Sequence, residues 1–182
     1  GSEMCIRDSI VGYVPQKAVM FSGSVLSNIT FGKNRHGKPS KERVKAAIRV
    51  SQAEEFVSKL DDKEKAHIAQ GGTNVSGGQK QRLSIARTIA RDPEIYIFDD
   101  SFSALDYKTD STLRSELKKY TKDATVMIVA QRIGTILNAD KIVVLDNGKC
   151  VGIGTHKELM KKCKVYKEIA LSQVSKEELE NV

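Results

Sequence analysis

The sequence has few cysteines, few aromatic residues and no long hydrophobic run, and each shortage excludes a class of protein. Its three cysteines, Cys5, Cys150 and Cys163, form no CxxC pair, so neither a disulfide framework nor a zinc site is indicated. No apolar run reaches the roughly 18 residues of a membrane-spanning helix, and the N-terminus shows no signal-peptide pattern. We therefore expect a chain that faces the cytoplasm, a reducing compartment.

The positive charge of the chain does not by itself indicate nucleic-acid binding. The net charge is +7 over 182 residues, but the lysines and arginines are spread along the chain and only 5% of the residues are aromatic. We therefore expect no nucleic-acid partner. The content of 40% hydrophobic and 29% charged residues is typical of one globular domain or a large part of one.

The first nine residues match no pattern that connects them to the rest of the chain. Gly1-Ser2 is typical of a cloning remnant, so we treat 1–9 as a candidate non-native head. From Ile10 the run "IVGYVPQ" predicts a short strand that Pro15 ends, because proline donates no hydrogen bond to a ladder. Gln16 is thus expected just past the end of a strand.

Helical spacing and capping signals predict most of the helices. Apolar residues between Ser40 and Leu60 indicate two short amphipathic helices without strands, and a longer helix is predicted from its N-cap Ser76 to the stop at Pro93. A capping box of Thr155 and Glu158 opens one C-terminal helix. The apolar side of that helix is predicted to carry Leu159, Cys163, Tyr166 and either Ile169 or Ala170.

Short apolar runs after Pro93 indicate an α/β fold. The runs "IYIF", "TVMIVA" and "KIVVL" predict buried parallel strands, because they alternate with polar helical segments. Asn147-Gly148 is predicted to turn the last run into a further short strand at 150–153.

Two stretches carry candidate chemistry. In "SGGQ", two glycines at a helix start leave backbone N–H groups bare, which favours an anion, although a simple glycine-rich turn has the same pattern. Asp99 follows the strand Ile95–Phe98, where it could hold Mg²⁺ directly or through water, or else cap a loop.

The combination of these stretches resembles the nucleotide-binding domain of ABC transporters. "VSGGQKQRLSIARTIARDPEIYIFDDSFSALD" is similar to the ABC signature, its helix, the Walker B strand and the D-loop, in that order. Gln16 resembles the Q-loop glutamine, and "FSGSVLSNITFG" and "AQGGTNVSGGQ" are similar to the exporter branch. The resemblance implies a partial P-loop α/β domain over 10–182, with a parallel sheet core and a helical subdomain at about 40–92.

The resemblance also implies cofactors and roles for individual residues. The cofactors would be ATP and Mg²⁺, with Asp99 serving the metal and Gln16 contacting both the metal and the attacking water. Asp106 would end the D-loop at a dimer seam. The γ-phosphate of an ATP held by the opposite subunit would be bound by Ser76, Gly77, Gly78 and Gln79.

Two residues depart from the pattern of the family at catalytic positions. Asp100 stands where the family has its catalytic glutamate, and one missing methylene leaves the carboxylate about an ångström short, which can cost about a hundredfold in rate. Gln131 stands where the family has its switch histidine, and an amide cannot carry a proton as imidazolium does. His156 is expected at the cap of the terminal helix instead, and His36 and His67 in surface loops or helices. Hydrolysis at this site is expected to be slow.

A third departure concerns the phosphate loop. The family carries GxxxxGK followed by Ser or Thr many residues before the Q-loop glutamine, and no such motif precedes Gln16 in this sequence. The spacing GxxxxGK occurs at Gly32–Lys38, but Pro39 replaces the required hydroxyl, so we interpret this segment as a loop. We therefore expect a partial domain that exposes a sheet edge and is inactive in isolation.

The intact signature and the two substitutions together predict one half of a heterodimeric exporter. A second ABC half-transporter would supply a competent ATP site that this chain's signature completes. A fused transmembrane domain would place the chain at the cytoplasmic face of the cell membrane, and drug, lipid and peptide substrates stay equally open.

Two alternatives remain from other classes. An ABC-type ATPase acting on nucleic acid would carry long coiled coils between Gln16 and Ser76, where this sequence has a short spacing without heptads. One acting on the ribosome would carry two such domains in tandem. A non-functional fragment is the other alternative.

Overall fold

The structure is a computed structural model that describes residues 10–32 and 37–180. The candidate head at 1–9, with Cys5, and His36 in the loop Gly32–Pro39 lie outside the described residues. The chain divides into two compact units, the first ending at Val129 and the second running Ala130–Val182. Within the described ranges, no helix is long and apolar enough to cross a membrane.

Both units contain helices and strands. The first unit contains β1 (Val11–Val14), β2 (Gly23–Ser24), α1 (Val25–Ile29), α2 (Lys41–Val50), α3 (Glu54–Ser58), β3 (His67–Ile68), α4 (Gly77–Arg91), β4 (Ile95–Asp99), α5 (Tyr107–Tyr120) and β5 (Thr125–Val129). The second contains α6 (Ile133–Ile136), β6 (Ile142–Asp146), β7 (Lys149–Gly154), α7 (His156–Lys162) and α8 (Lys164–Glu180).

A three-stranded parallel sheet in the order β1-β4-β5 forms the centre of the first unit. The predictions of strands at "IVGYVPQ", "IYIF" and "TVMIVA" are therefore confirmed. One face of the sheet carries Val14 and Phe98, which are fully buried in the core. A side chain at Gly12 would place its Cβ 2.6 Å from both Pro93 Cγ and Thr88 Cγ2, so β1 lies against the end of α4 at a distance that only glycine allows.

The opposite face of this sheet is open. Tyr13, Met127 and Val129 are 51%, 56% and 51% exposed, so the prediction that "TVMIVA" is buried was wrong. The physical reason is that no described element of the first unit packs on this face of the sheet, of which β5 is an edge strand. The apolar run indicates a surface suited to burial, and the described part of the first unit does not supply what would cover it.

The prediction of a buried parallel strand at "KIVVL" was also wrong. In the second unit β6 pairs antiparallel with β7, because Asn147 and Gly148 both adopt positive φ (46° and 74°) and form the predicted tight turn. Ile142 and Val144 face the core of this unit, whereas Val143 and Leu145 are exposed. The run therefore has one buried face and not two.

The predicted helices are confirmed with one correction. The segment 40–60 forms α2 and α3, although 40–92 as a whole also contains β3, which pairs with β2. The C-terminal helix is divided, because Cys163 adopts an extended conformation between α7 and α8. Of the two candidates on its apolar side, Ala170 is buried and Ile169 is exposed.

Candidate nucleotide site

The ends of β1 and β4 bring three of the predicted site residues together. Parallel strands present their carboxyl ends at the same edge of a sheet. Gln16 follows β1, Asp99 is the last residue of β4, and Asp100 comes directly after it. Gln16 Nε2 donates a hydrogen bond of 3.1 Å to Asp100 Oδ2. Ser101, which is buried, donates from Oγ to the carbonyl oxygen of Val14 at 2.9 Å and so holds the exit of β4 against β1.

The backbone of Asp100 has an unusual conformation. Its φ is 45°, in the left-handed region, and its N–H donates to the carbonyl oxygen of Val129 at 3.0 Å. Among residues with a Cβ, Asp and Asn tolerate this region best, because their short polar side chains bond to the local backbone. In this structure the position therefore suits aspartate better than the longer glutamate.

Tyr13 is a site residue that the sequence reasoning missed. Its hydroxyl donates a hydrogen bond of 2.8 Å to Asp99 Oδ2. This hydrogen bond, together with burial and the negative charge of Asp99, raises the pKa of Tyr13 above its ordinary value. A phenol holds its proton at neutral pH with or without this shift, so Tyr13 is the donor. No motif in the sequence pairs Tyr13 with Asp99.

The donor set of this cluster fits Mg²⁺ held jointly with a nucleotide. Asp99, Asp100 and Gln16 offer carboxylate and amide oxygens, which are the hard ligands that Mg²⁺ prefers. Among the described residues no group of three or more His, Cys, Asp or Glu could hold a metal alone. Mg²⁺ in nucleotide sites typically takes only one or two carboxylates and completes its shell with water and phosphate oxygens.

The start of α4 forms the second cluster, Ser76 to Gln79. Ser76 Oγ accepts from the N–H of Gln79 at 3.2 Å, and Gln79 Oε1 accepts from the N–H of Ser76 at 2.9 Å, which completes a capping box. The N–H groups of Gly77 and Gly78 lie outside this box, at the positive end of the helix dipole. A Cβ on Gly77 would meet open space, so another surface can approach here.

Two further residues of α4 connect the signature helix to the chain on either side of Gln16. Gln81, only 2% exposed, donates from Nε2 to the carbonyl oxygen of Pro15 at 3.1 Å. The Arg87 guanidinium donates to the carbonyl oxygens of Asn28 at 2.7 Å and Val19 at 3.0 Å, and burial lowers its pKa to about 10. No pattern in the sequence indicated either contact, because polar residues inside a helix are ordinarily expected at the surface.

Asp106 is the N-cap of α5 in this structure. Its Oδ1 accepts from the N–H of Thr109 at 2.9 Å, and that hydrogen bond lowers the pKa of the Asp106 carboxyl. The D-loop before it lies close to the signature, since a Cβ on Gly78 would come within 3.3 Å of the Ala104 carbonyl oxygen. The role of Asp106 at a dimer seam stays a prediction.

Gln131 lies in the second unit, two residues past β5, and its role beside Asp99 and Asp100 stays a prediction. Its carbonyl oxygen accepts from Gln173 Nε2 at 2.7 Å, and Gln173 Oε1 accepts from the N–H of Ile133 at 2.7 Å. Arg132, the N-cap of α6, provides no side-chain cap, so Gln173 of α8 satisfies this helix start instead. No sequence signal joins residues that are 42 positions apart.

The two described histidines are accounted for outside these clusters. His156 begins α7 as predicted, and its Nδ1 lies 2.8 Å from the Tyr166 hydroxyl. His67 is exposed but belongs to β3, so its predicted place in a loop or helix was wrong. The two-residue pairing of β3 with β2 is too short to leave an alternating pattern in the sequence.

The fold and the motifs of this chain are shared with a known protein family. The sequence model of the family described as ABC transporter matches residues 2–103. The chain belongs to the ABC transporter family. Family membership implies a nucleotide-binding ATPase domain that works with Mg²⁺, as the resemblance in the sequence predicted.

Individual relatives agree with this assignment. An uncharacterized ABC transporter ATP-binding protein of Mycobacterium tuberculosis is 45% identical over 165 residues, covering 91% of this chain and 28% of that protein. A Rickettsia conorii protein whose name describes an export ATP-binding/permease protein is 39% identical over 166 residues, covering 91% of this chain and 28% of that protein. This chain therefore spans less than a third of the length of these relatives.

A solved structure confirms the fold. The structure of a bacterial Atm1-family ABC exporter with ATP bound matches with a TM-score of 0.85 and 32% identity, covering 91% of this chain and 29% of that chain. The predicted α/β ABC ATPase fold with a parallel sheet core is thereby confirmed, as is the resemblance to an exporter nucleotide-binding domain.

Proposed function

We propose that this chain is the ATP-binding segment of one half of a heterodimeric ABC exporter. Its own site binds ATP with Mg²⁺ and hydrolyses it slowly, while its signature completes a competent site on the partner half. The observation that carries the proposal is the contrast between an intact signature capping box at Ser76 and Gln79 and a strand-end cluster in which Asp100 is paired with Gln16.

At the strand ends, Asp99 would hold the metal and Gln16 would lie beside the attacking water. Mg²⁺, when bound with ATP, neutralises charge that develops on the phosphates. Asp100 is one methylene shorter than glutamate, and its carboxylate is oriented toward Gln16 by a 3.1 Å hydrogen bond. A general base so placed is displaced from the water by about an ångström, and a displacement of that size costs about a hundredfold in rate.

Gln131 would be the second cause of slow hydrolysis. Its amide can donate a hydrogen bond to a phosphate oxygen and so support binding, but it cannot accept and carry a proton. Binding and turnover are therefore affected differently, and ATP is retained longer than it is at a site with glutamate and histidine.

The signature serves the opposite nucleotide. Gly77 and Gly78 present backbone N–H groups at a helix N-terminus, and the open space beside Gly77 lets a phosphate approach closely. Ser76 and Gln79 hold the start of the helix in place through their reciprocal bonds. Binding of the partner's ATP by the signature therefore needs no group from the strand-end cluster of Gln16, Asp99 and Asp100.

The phosphates of the chain's own ATP would be held by a further segment that carries a phosphate loop. The only GxxxxGK spacing in this sequence, Gly32–Lys38, is followed by Pro39. The open sheet face that includes Tyr13 and Met127 is a surface on which such a segment can pack. A fused transmembrane domain would place the complete protein at the cytoplasmic face of the membrane, where closure of the two nucleotide domains drives export.

The test is to measure which of the two subunits hydrolyses its bound ATP to ADP. The full-length protein is purified with its partners from native membranes, allowed to turn over a photoreactive radiolabelled ATP, cross-linked and separated into subunits. We expect two different ABC subunits, with mainly triphosphate on this one and mainly diphosphate on the partner. Equal diphosphate on both subunits, or a homodimer, would contradict the proposal.

A further inference from the structure

The hydroxyl of Tyr13 contacts the carboxylate that the proposed function assigns to Mg²⁺. We propose that Tyr13 is a positioning residue that fixes the Asp99 side chain for binding the metal together with ATP. This inference rests on the proposed role of Asp99. It adds a residue of β1 to a metal site that otherwise draws on the end of β4 and the loop after β1.

The register of the sheet makes the contact possible. Tyr13 of β1 lies opposite Ile97 of β4, and Asp99 is two residues beyond Ile97 on the same face. The tyrosine ring spans this diagonal, and its hydroxyl reaches Asp99 Oδ2 at 2.8 Å. A phenylalanine would cover the same diagonal without forming the hydrogen bond.

The physical effect is on the orientation of the carboxylate. The terminal torsion of an aspartate is broad, so an unrestrained carboxylate samples many orientations. A charge-assisted O–H to carboxylate hydrogen bond is among the stronger ones, and here it occupies Oδ2. Oδ1 is then directed away from the tyrosine, where it can face the metal or a water of its shell.

The ring and the hydroxyl of Tyr13 have separable roles. The ring lies on the open face of the sheet and is 51% exposed, so its packing depends on a segment that covers this face. The hydroxyl already makes a specific contact, the 2.8 Å hydrogen bond to Asp99 Oδ2. Tyr13→Phe therefore keeps the ring for packing and removes only the contact with the site.

The experiment compares Tyr13→Phe with the unchanged full-length protein. Mn²⁺, which can be counted by its electron paramagnetic resonance, is titrated in the presence of saturating ATP, and ATP binding is measured separately in EDTA. We expect Tyr13→Phe to raise the Mn²⁺ concentration at half-saturation about tenfold, as loss of an outer-shell partner typically does. Affinity for metal-free ATP should be unchanged.

A matched control removes an equivalent hydroxyl elsewhere. The Tyr166 hydroxyl also makes a 2.8 Å hydrogen bond, but to His156, so Tyr166→Phe should leave the Mn²⁺ titration unchanged. In the Asp99→Asn background, Tyr13→Phe should have no additional effect, because the carboxylate on which it acts is absent.

The outcomes separate this inference from the proposed function. If Asp99→Asn abolishes Mn²⁺ binding and Tyr13→Phe leaves it unchanged, or makes it tighter, the positioning role is wrong and the metal site stands. If neither substitution changes the titration, the assignment of the metal to Asp99 is wrong, and the role of Tyr13 is wrong with it.

Discussion

The strand-end cluster of Gln16, Asp99 and Asp100 and the signature at the start of α4 are built in different ways. The signature is held by a capping box within four consecutive residues, so its geometry is local. The strand-end cluster joins Gln16 to Asp100, which is 84 positions away, and depends on the pairing of β1 with β4. Both catalytic departures, Asp100 and Gln131, lie outside the signature. We infer that the signature, which would serve the partner's ATP, keeps its geometry independently of the chain's own ATP site, where the two substitutions lie.

The largest expected effect comes from breaking the signature. Ser76→Ala should reduce ATP turnover of the proposed heterodimer about a hundredfold, because it would remove the proposed contact with the partner's γ-phosphate, a type of contact that costs this much when lost. It also removes a helix cap worth about 1 kcal/mol. Turnover of the purified complex at saturating ATP measures the effect.

A second helix cap provides the control for Ser76→Ala. Ser40 caps α2 with a 3.2 Å bond from the N–H of Arg43, the same length as the Ser76 cap. Ser40→Ala should therefore cost a similar amount of stability and leave turnover unchanged. If both variants reduce turnover equally, Ser76 acts only as a cap.

The next effect is a gain at the strand-end cluster. Asp100→Glu should raise the hydrolysis rate at this chain's own site about tenfold, since it returns the carboxylate toward the water. The gain is expected to stay below a hundredfold, because Gln131 is still present and the left-handed φ of 45° suits glutamate less well than aspartate. Single-turnover hydrolysis of ATP bound to this subunit measures it, and an unchanged rate would mean that the missing methylene does not limit hydrolysis.

Gln81 of α4 links the signature helix to the strand-end cluster through its hydrogen bond to the carbonyl oxygen of Pro15, the residue before Gln16. Gln81→Leu should make the backbone amides that follow Pro15 exchange about tenfold faster, because the Pro15 carbonyl loses its buried donor. Hydrogen exchange with mass spectrometry on the full-length protein gives the rate. Gln70→Leu, which removes an exposed acceptor with a 3.4 Å bond to Ser22, should change it little.

The smallest expected effect concerns the loop that carries Gln131. Gln173→Ala should speed exchange of the Ile133 amide about fivefold, since a partly exposed hydrogen bond contributes modestly and water replaces it in part. Gln173→Glu keeps the acceptor for Ile133 but loses the donor to Gln131, so it should protect that amide better than alanine does. Equal exchange in both variants would show that Gln173 does not cap α6.

Local signals in the sequence predicted much of this structure. The N-cap at Ser76, the capping box at Thr155 and the turn at Asn147 depend on residues within a few positions of one another, and all three are present. The positions of Gln16 and Asp99 at strand ends were also predicted, and the parallel pairing of β1 with β4 then brings Gln16 to Asp100.

Contacts that depend on register or on distant partners could not be predicted. Tyr13 reaches Asp99 only because β1 and β4 pair in one particular register, and Gln173 meets Gln131 although the two are 42 positions apart. The pairing of "KIVVL" was mistaken because an apolar run fits a buried strand and a hairpin strand alike, and only the burial of alternate residues distinguishes them.

The most direct test of the central claim is the ATP turnover of the full-length protein purified without a partner, beside its Asp100→Glu, Gln131→His double variant. The account predicts slow turnover by the unchanged protein and a rate higher by about a hundredfold for the double variant, in which both catalytic groups are restored. Brisk turnover by the unchanged protein alone would contradict the claim that its own site is altered for binding without hydrolysis.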